Sequence, residues 1–405
     1  MVTNNEQNKL NVPHLRFPEF HGEWEEHGLS EYLDFKNGLN PDSKRFGKGI
    51  KFISVMDILN NPVITYDCIR ASVQATDAEM SSFSVENGDI LFQRSSETLE
   101  DVGRANVYID DKVAVFGGFV IRGKKKANYN PLFFRYLLSS PYARKRIIPM
   151  GAGAQHFNIG QEGLSKVLLN FPSIEEQTKI ASLLHLLDER IATQSKLIED
   201  LKKLKSAIIV EHYRQTEKNE VCVADLGNHF NVGNLAKDDL SETGKPCIIY
   251  GELFTTYGEI ISQIESHTNK TEGMILSKKG DLLFPSSTTV DAVSLIAPSV
   301  INVDNVILGG DMFGIHINHN YNTQYLSYYF NHIAKKQLAK FAKGSTIIHL
   351  HYTDIEKAKL LLPSLEEQNR MAKCLVALDK KVSVEQNLLS SLTCQKSYLL
   401  QQMFI

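Results

Sequence analysis

Apolar positions along this chain follow two alternating patterns. From Phe171 to Ile209, FPSIEEQTKIASLLHLLDERIATQSKLIEDLKKLKSAII, they recur three and four apart, and no Pro or Gly interrupts the run after its opening, which predicts a long helix. The stretch from Leu362 to Leu400 repeats the pattern without a gap, 191 positions further on. Each copy opens with Pro, then Ser173 or Ser364, then Glu176 or Glu367 three residues later, the spacing of a capping box. The seam of the first copy reads Ile180, Leu184, Leu187, Ile191, Ile198, Leu201, Ile208, and that of the second Met371, Leu375, Leu378, Val382, Leu389, Leu392, Leu399. It breaks at the same layers in both: Gln194 answers Glu385, and Lys205 answers Lys396. A polar residue on a seam costs stability and fixes register. Equal length, register and breaks predict that the two helices, each roughly 50 Å long at 1.5 Å per residue, pair with each other.

Outside these helices the period changes. From Leu29 to Asn170 short β-rich runs alternate with turns: GIKFISVMDIL, ENGDILFQR, RANVYIDDKVAVFGGFVIR. The clearest strand is Asp89-Ile90-Leu91-Phe92 after the turn Asn87-Gly88. PLFFRYLLSS reads as a buried helix ending in the basic run Ala143-Arg144-Lys145-Arg146, followed by the Gly loop GAGAQHFNIG and a last segment, LSKVLLNF. The second half keeps this order: GDLLFPS answers GDILFQR, Gly309-Gly310 answers Gly117-Gly118, Lys335-Lys336 answers Arg144-Lys145, and Gly344 answers Gly153. The side chains between these landmarks largely differ, as expected of two domains on one scaffold displaying different surfaces. The expected fold is α+β. An arm (1–28) precedes one β-rich domain (29–170) and a central helical spacer (171–215). A second β-rich domain (216–361) and a C-terminal spacer (362–405) follow. The first dozen residues are polar and expected to be loose; Trp24, Phe17 and Phe20 then mark an extended arm packed on a neighbouring surface, with Trp24 a buried anchor.

Composition adds little until it is read locally. No run reaches transmembrane length, the N-terminus lacks a signal-peptide core, and the five cysteines show no metal or disulfide spacing, so a cytoplasmic protein is expected. No Walker loop, GxGxxG, HExxH or GxSxG is present, and no catalytic or metal site is assigned. His349 and His351, two apart, would share one face on a strand but have no third ligand in view. Asp89 and Asp281, each after a Gly, read as turn-capping residues. The net charge of -3 hides ten Lys or Arg against two acids between Val102 and Met150. Lys335, Lys336, Lys340 and Lys343 cluster at the matching place in the second half. A basic helix end before a Gly loop suits DNA phosphates, which supply affinity without sequence information. The phosphate candidates are Arg104, Lys124, Lys125, Arg144, Lys145 and Arg146, with the four lysines of the second half. Groove-edge readers are sought in the loops after the GD(I/L)LF strands (Arg94, Ser95, Ser96 and Thr98; Ser286, Ser287 and Thr288). The Gly loops add Gln155, His156 and Asn158, then Thr346 and His349.

These residues resemble, over nearly the whole chain, the DNA-specificity subunit of type I restriction–modification systems. The resemblance rests on VPHLRFPEFHGEWE, on GDILF with GDLLF, on Gly loops leading to LLNFPSIEEQ and LLLPSLEEQ, and on the repeated long helices. It implies two variable target-recognition domains alternating with helical regions that form an antiparallel coiled coil. It implies no catalysis and no cofactor on this chain. Double-stranded DNA is the implied ligand. Two methyltransferase (modification) subunits would bring S-adenosylmethionine to adenine N6, and restriction subunits would bring ATP- and Mg-dependent translocation and cleavage. No membrane partner is expected. Two readers on a rigid spacer would take half-sites about 34 Å apart, one turn of DNA, each of about three to five base pairs. Full antiparallel overlap would place Gln194 opposite Glu385. The alternative is a coiled-coil adaptor that binds proteins only; a fused methyltransferase or nuclease would need a cofactor loop or an NPPY-like motif that the chain lacks.

Overall fold

The computed structural model describes residues 11–405, so most of the polar opening segment expected to be loose lies outside the described residues. The chain divides into two compact units: residues up to Ser195 together with Asn387–Ile405, and Lys196–Gln386. Each unit holds one β-rich domain and one stretch of each long helix.

In the first unit the main sheet has four antiparallel strands in the order Leu33–Asn37, Val120–Lys125, Ile90–Gln93, Ala105–Val107. The GDILF strand is thus internal, and its apolar run is explained by burial on both faces. A second sheet pairs Phe46–Ile53 with Ala114–Phe116 in parallel. The strand Glu25–Gly28 closes on Leu168–Phe171, the strand that leads into the first long helix. The second unit repeats the plan with Gly227–Asn231, Met312–Ile317, Asp281–Pro285 and Ser299–Ile301, and adds a fifth strand, Ile260–Ile261. The parallel pair of the first unit is answered by Lys245–Ile249 with Ile307–Gly309, and the added strand also runs parallel to its neighbour.

Two local readings change. GIKFISVMDIL is only half strand: Ser54 and Asp57 form a capping box that starts a helix over Val55–Asn60. PLFFRYLLSS does not run on into the basic stretch either. Proline cannot supply an amide inside a helix, so the helix Pro131–Ser139 ends and Pro141 begins a new one, Pro141–Ile147, capped by Ser140. The matching segment of the second half lacks that proline and stays helical from Thr323–Tyr329 through a π turn to Lys335–Leu338.

The long helices span Ile174–Gln215 and Leu365–Gln402, about 63 and 57 Å at 1.5 Å per residue. They pair antiparallel: within the second unit the first helix advances from Lys205 to His212 while its contacts on the other retreat from Asp379 to Glu367. In the first unit Ile180, Leu184 and Leu187 share one core with Leu392, Leu399, Trp24 and Phe133. Trp24 is the expected anchor, edge-on to both Phe133 and Phe404. Domain and spacer therefore share a single hydrophobic core, and neither half of the unit buries its apolar face alone. The seam residues Met371, Leu375, Val382 and Gln194 are buried, as is Glu385. Ile191, Leu201, Leu378 and Leu389 are half-buried, and Ile198 is buried. Near the end of the first helix Ile209, not Ile208, takes the buried place. A straight helix drifts about 20° per heptad against a 3.5-residue repeat.

Candidate nucleic-acid interface

The loops singled out after the GD(I/L)LF strands do meet the Gly loops. In the first domain Ser95–Ser96 forms a two-residue ladder with Phe157–Asn158, and in the second Ser287–Thr288 does so with Ile348–His349. The backbone around the two ladders is the same. The Arg94 amide donates to the Phe119 carbonyl at 2.9 Å, and the Ser286 amide to Asp311 at 2.8 Å; Ile159 donates to Arg94 at 3.0 Å, and Leu350 to Ser286 at 2.9 Å. Paired amide–carbonyl bonds then close each Gly loop, between Ala152 and Asn158 and between Lys343 and His349. Gly153 and Gly344 sit at φ 146° and 113°, where a Cβ would lie 2.0 and 2.1 Å from the carbonyl oxygens of His156 and Ile347. Only glycine closes this turn.

What the scaffold displays differs between the domains. In the first, Gln155, His156 and Asn158 are exposed, and the Ser95 hydroxyl bonds the Asn158 side chain. Ser96 is buried, and its hydroxyl accepts from the Thr98 amide. In the second, Ser286 and Ser287 are buried, Thr288 accepts from the Val290 amide, and Thr346 is exposed. His349 and His351 stack with ring centroids 6.1 Å apart, and among the described residues no three potential ligands gather around a metal position.

Much of the counted positive charge is used internally. Arg144 donates to the carbonyls of Gly103, Glu100 and Val102, and burial lowers its guanidinium to about 10. Arg146 lies 3.9 Å over the Tyr142 ring, and Lys125 bonds the Tyr129 carbonyl. Lys124 pairs with Glu86 at 3.1 Å, Arg104 with Asp101 at 2.6 Å, and Lys343 with Asp354. Lys145, Lys336 and Lys340 are exposed, Lys335 is half-buried, and among the described residues no carboxylate pairs with any of the four. The cationic surface is thus smaller than the sequence count, because arginines next to turns serve first as backbone braces.

Asp89 and Asp281 are turn braces. Asp89 accepts from the amides of Glu86 at 3.0 Å and Lys125 at 2.9 Å, while Asp281 accepts from Lys278 at 2.8 Å and lies 2.5 Å from His316. Burial raises the Asp89 carboxyl.

The junction between each domain and its spacer carries a polar node that sequence reading passed over. Asp188 accepts from Tyr136 at 2.9 Å and Arg135 at 3.2 Å and pairs with Lys396 at 2.5 Å. At the equivalent place Asp379 pairs with Lys205 at 2.7 Å and accepts from Tyr328, and Lys205 also reaches Glu259 at 2.9 Å. The two lysines that break the seam are therefore each answered by the aspartate of the other helix. Burial pushes the Glu259 carboxyl up, but His332 and Lys205 outweigh it and hold it at about 2. A Tyr–Asp pair recurring in both halves, with Tyr136 and Tyr328 192 apart and Asp188 and Asp379 191 apart, was the available signal. The repeated EEQ has a similar role: Gln177 accepts from the Asn130 amide (3.1 Å) and donates to Pro172 (3.0 Å), and Gln368 does the same with Asn322 (3.0 Å) and Pro363 (2.9 Å). The capping box is only half made. Ser173 accepts from the Glu176 amide at 3.4 Å, but the Glu176 carboxylate receives Arg16 of the arm through two bonds of 2.8 and 2.7 Å.

A duplicated α+β domain with a tight Gly loop beside a short ladder, each half braced against an antiparallel helix pair, defines a two-domain recognition scaffold. The sequence matches the family described as "Type I restriction modification DNA specificity domain" twice, over residues 21–203 and 216–393, and the chain belongs to that family. Its members are specificity subunits, which supply target recognition and not catalysis. A putative type I restriction enzyme MjaX specificity subunit of Methanocaldococcus jannaschii is 23% identical over 386 residues, 90% of this chain and 88% of that protein. The MjaVIII specificity subunit of the same organism is 21% identical, covering 94% and 91%. In fold, the S subunit of a type I restriction–modification system from M. genitalium superposes with a TM-score of 0.60 at 17% identity, covering 97% and 99% of the two chains. No helix among the described residues is long and apolar enough to cross a membrane.

Proposed function

We propose that this chain is the DNA-reading subunit of a type I restriction–modification complex, in which each β-rich domain reads one half of a bipartite, asymmetric site. The observation that carries the reading is the duplicated ladder: one backbone hydrogen-bond pattern, present twice, with different side chains at equivalent positions. A symmetric display would read a palindrome; an unlike pair reads two different half-sites. Lys145, Lys336 and Lys340, exposed and without a carboxylate partner among the described residues, are the candidates for phosphate contact. Adenine methylation, with S-adenosylmethionine, would belong to two modification subunits, and ATP- and Mg-dependent cleavage to restriction subunits. Exposed apolar side chains on the spacer helices suit a protein partner: Leu186, Leu388 and Tyr398 in the first unit, Leu197, Leu204 and Val384 in the second. The test is to co-express this chain with its modification subunit and map N6-methyladenine across a host genome at base resolution. A single split motif with a fixed gap is expected. A complex that forms but methylates nothing above background would move the protein-only adaptor ahead.

A further inference from the structure

The two ladders allow a residue-level comparison inside one molecule. Three positions are held by identical main-chain bonds and differ in chemistry. Arg94 corresponds to Ser286, Phe119 to Asp311, and Asn158 to His349. None of the three owes its identity to the scaffold, because the scaffold forms with either residue. Phe119 is 68% exposed, the side chain following Gly117-Gly118. Beside it Arg94 spends one of its five N–H groups on the Gly118 carbonyl at 3.2 Å, and among the described residues no carboxylate pairs with it. In the second domain the same rim carries a carboxylate, Asp311, 41% exposed and 3.9 Å from the His349 ring. A surface phenylalanine beside an arginine without an acid, and an exposed aspartate at the matching rim, are poor choices for packing and apt ones for reading bases; Ser286, which answers Arg94, is buried and displays no side chain there.

We infer that Arg94, Phe119 and Asp311 determine the specificity of the two half-sites, and that their chemistry names the bases. This rests on the DNA-reading function proposed above. An arginine facing the major groove selects guanine through O6 and N7, an apolar group packs on the thymine methyl, and an aspartate accepts from the cytosine amino group. The half-site of the first domain therefore contains a G·C pair addressed by Arg94, next to a T·A pair against Phe119. The half-site of the second contains a G·C pair whose cytosine donates to Asp311. The backbone of the Gly loops positions each domain and by itself carries no base information.

The experiment is N6-methyladenine mapping with the modification subunit for wild type, Arg94→Ala, Phe119→Ala and Asp311→Asn. In the wild type the split motif should hold the named pairs. Arg94→Ala should lower discrimination at one G·C pair of one half about tenfold or more, the scale of a single bidentate contact. Phe119→Ala should relax the neighbouring T·A pair, and Asp311→Asn should shift one pair of the other half toward A·T, since an amide matches adenine. In every variant the untouched half is the internal control for folding and assembly. A wild-type split motif that all three variants keep base for base would overturn this inference and leave the function intact. So would an Arg94-dependent position that proved to be A·T. No split motif from the wild-type complex would remove the functional reading itself.

Discussion

At Gln177 one side chain satisfies an amide at the start of one helix and a carbonyl before another, and Gln368 does the same in the second unit. Both are buried. Replacing Gln177 by Ala leaves the Asn130 amide without its acceptor, and an unsatisfied buried group costs about 1–3 kcal/mol. The expected result is a lower denaturant midpoint with an unchanged slope, and a midpoint equal to wild type would count against the bridge. Asp188 is the second decisive residue. Asp188→Ala strands Lys396 and Arg135 in a largely buried place, a loss of about 3 kcal/mol. Lys396→Met should be milder, and the double variant should show coupling of the kind that neighbours display, roughly 0.5–3 kcal/mol. Strict additivity of the two single effects would contradict the pairing. The lysines were visible in the sequence as seam breaks, but their partners were not, because the aspartates lie on the opposite helix far along the chain.

At the scale of elements, the polar nodes make the junctions sensitive to acid. Glu259 is held at about 2 and Asp188 is lowered, the latter against burial by Lys396, Tyr136 and Arg135. A carboxylate depressed in the folded state binds fewer protons there than when unfolded, so stability is present above the unfolded pKa and is lost as pH falls toward the folded one. Unfolding by urea should therefore become steadily easier from about pH 4.5 toward 2. Glu259→Gln should flatten part of that fall; a slope equal to wild type would place the sensitivity elsewhere. The helices themselves were readable, since a 3–4 repeat without Pro or Gly admits little else. So were the internal strands, because both faces are buried and the run is continuously apolar. The short ladders were not, as two-residue strands carry no period. The break at Pro141 and the helix after Ser54 belonged to local chemistry that the hydrophobic run concealed.

For the whole molecule, the duplication predicts independence of the halves. Replacing residues 216–361 by the corresponding segment of another specificity subunit should change one half of the methylated motif and leave the other as it was. Mapping the methylome of the chimaera checks this, and alteration of both halves would argue against two separate readers. Binding of the assembled complex to non-cognate DNA should fall steeply with salt, in proportion to the phosphates that Lys145, Lys336 and Lys340 neutralise.

By itself the sequence determined the architecture and the family: a repeat of 191 positions, two long helices in equal register, two GD(I/L)LF strands and two Gly loops, all properties of local period and turn chemistry. The tertiary structure decided which side chains were left to act. Burial and backbone bracing consumed Arg144, Ser286 and Ser287, while Phe119 and Asp311, unremarked in the linear pattern, were brought beside Arg94 and His349. Only folding reveals this, because whether a polar group is free for a ligand depends on neighbours that are distant in sequence.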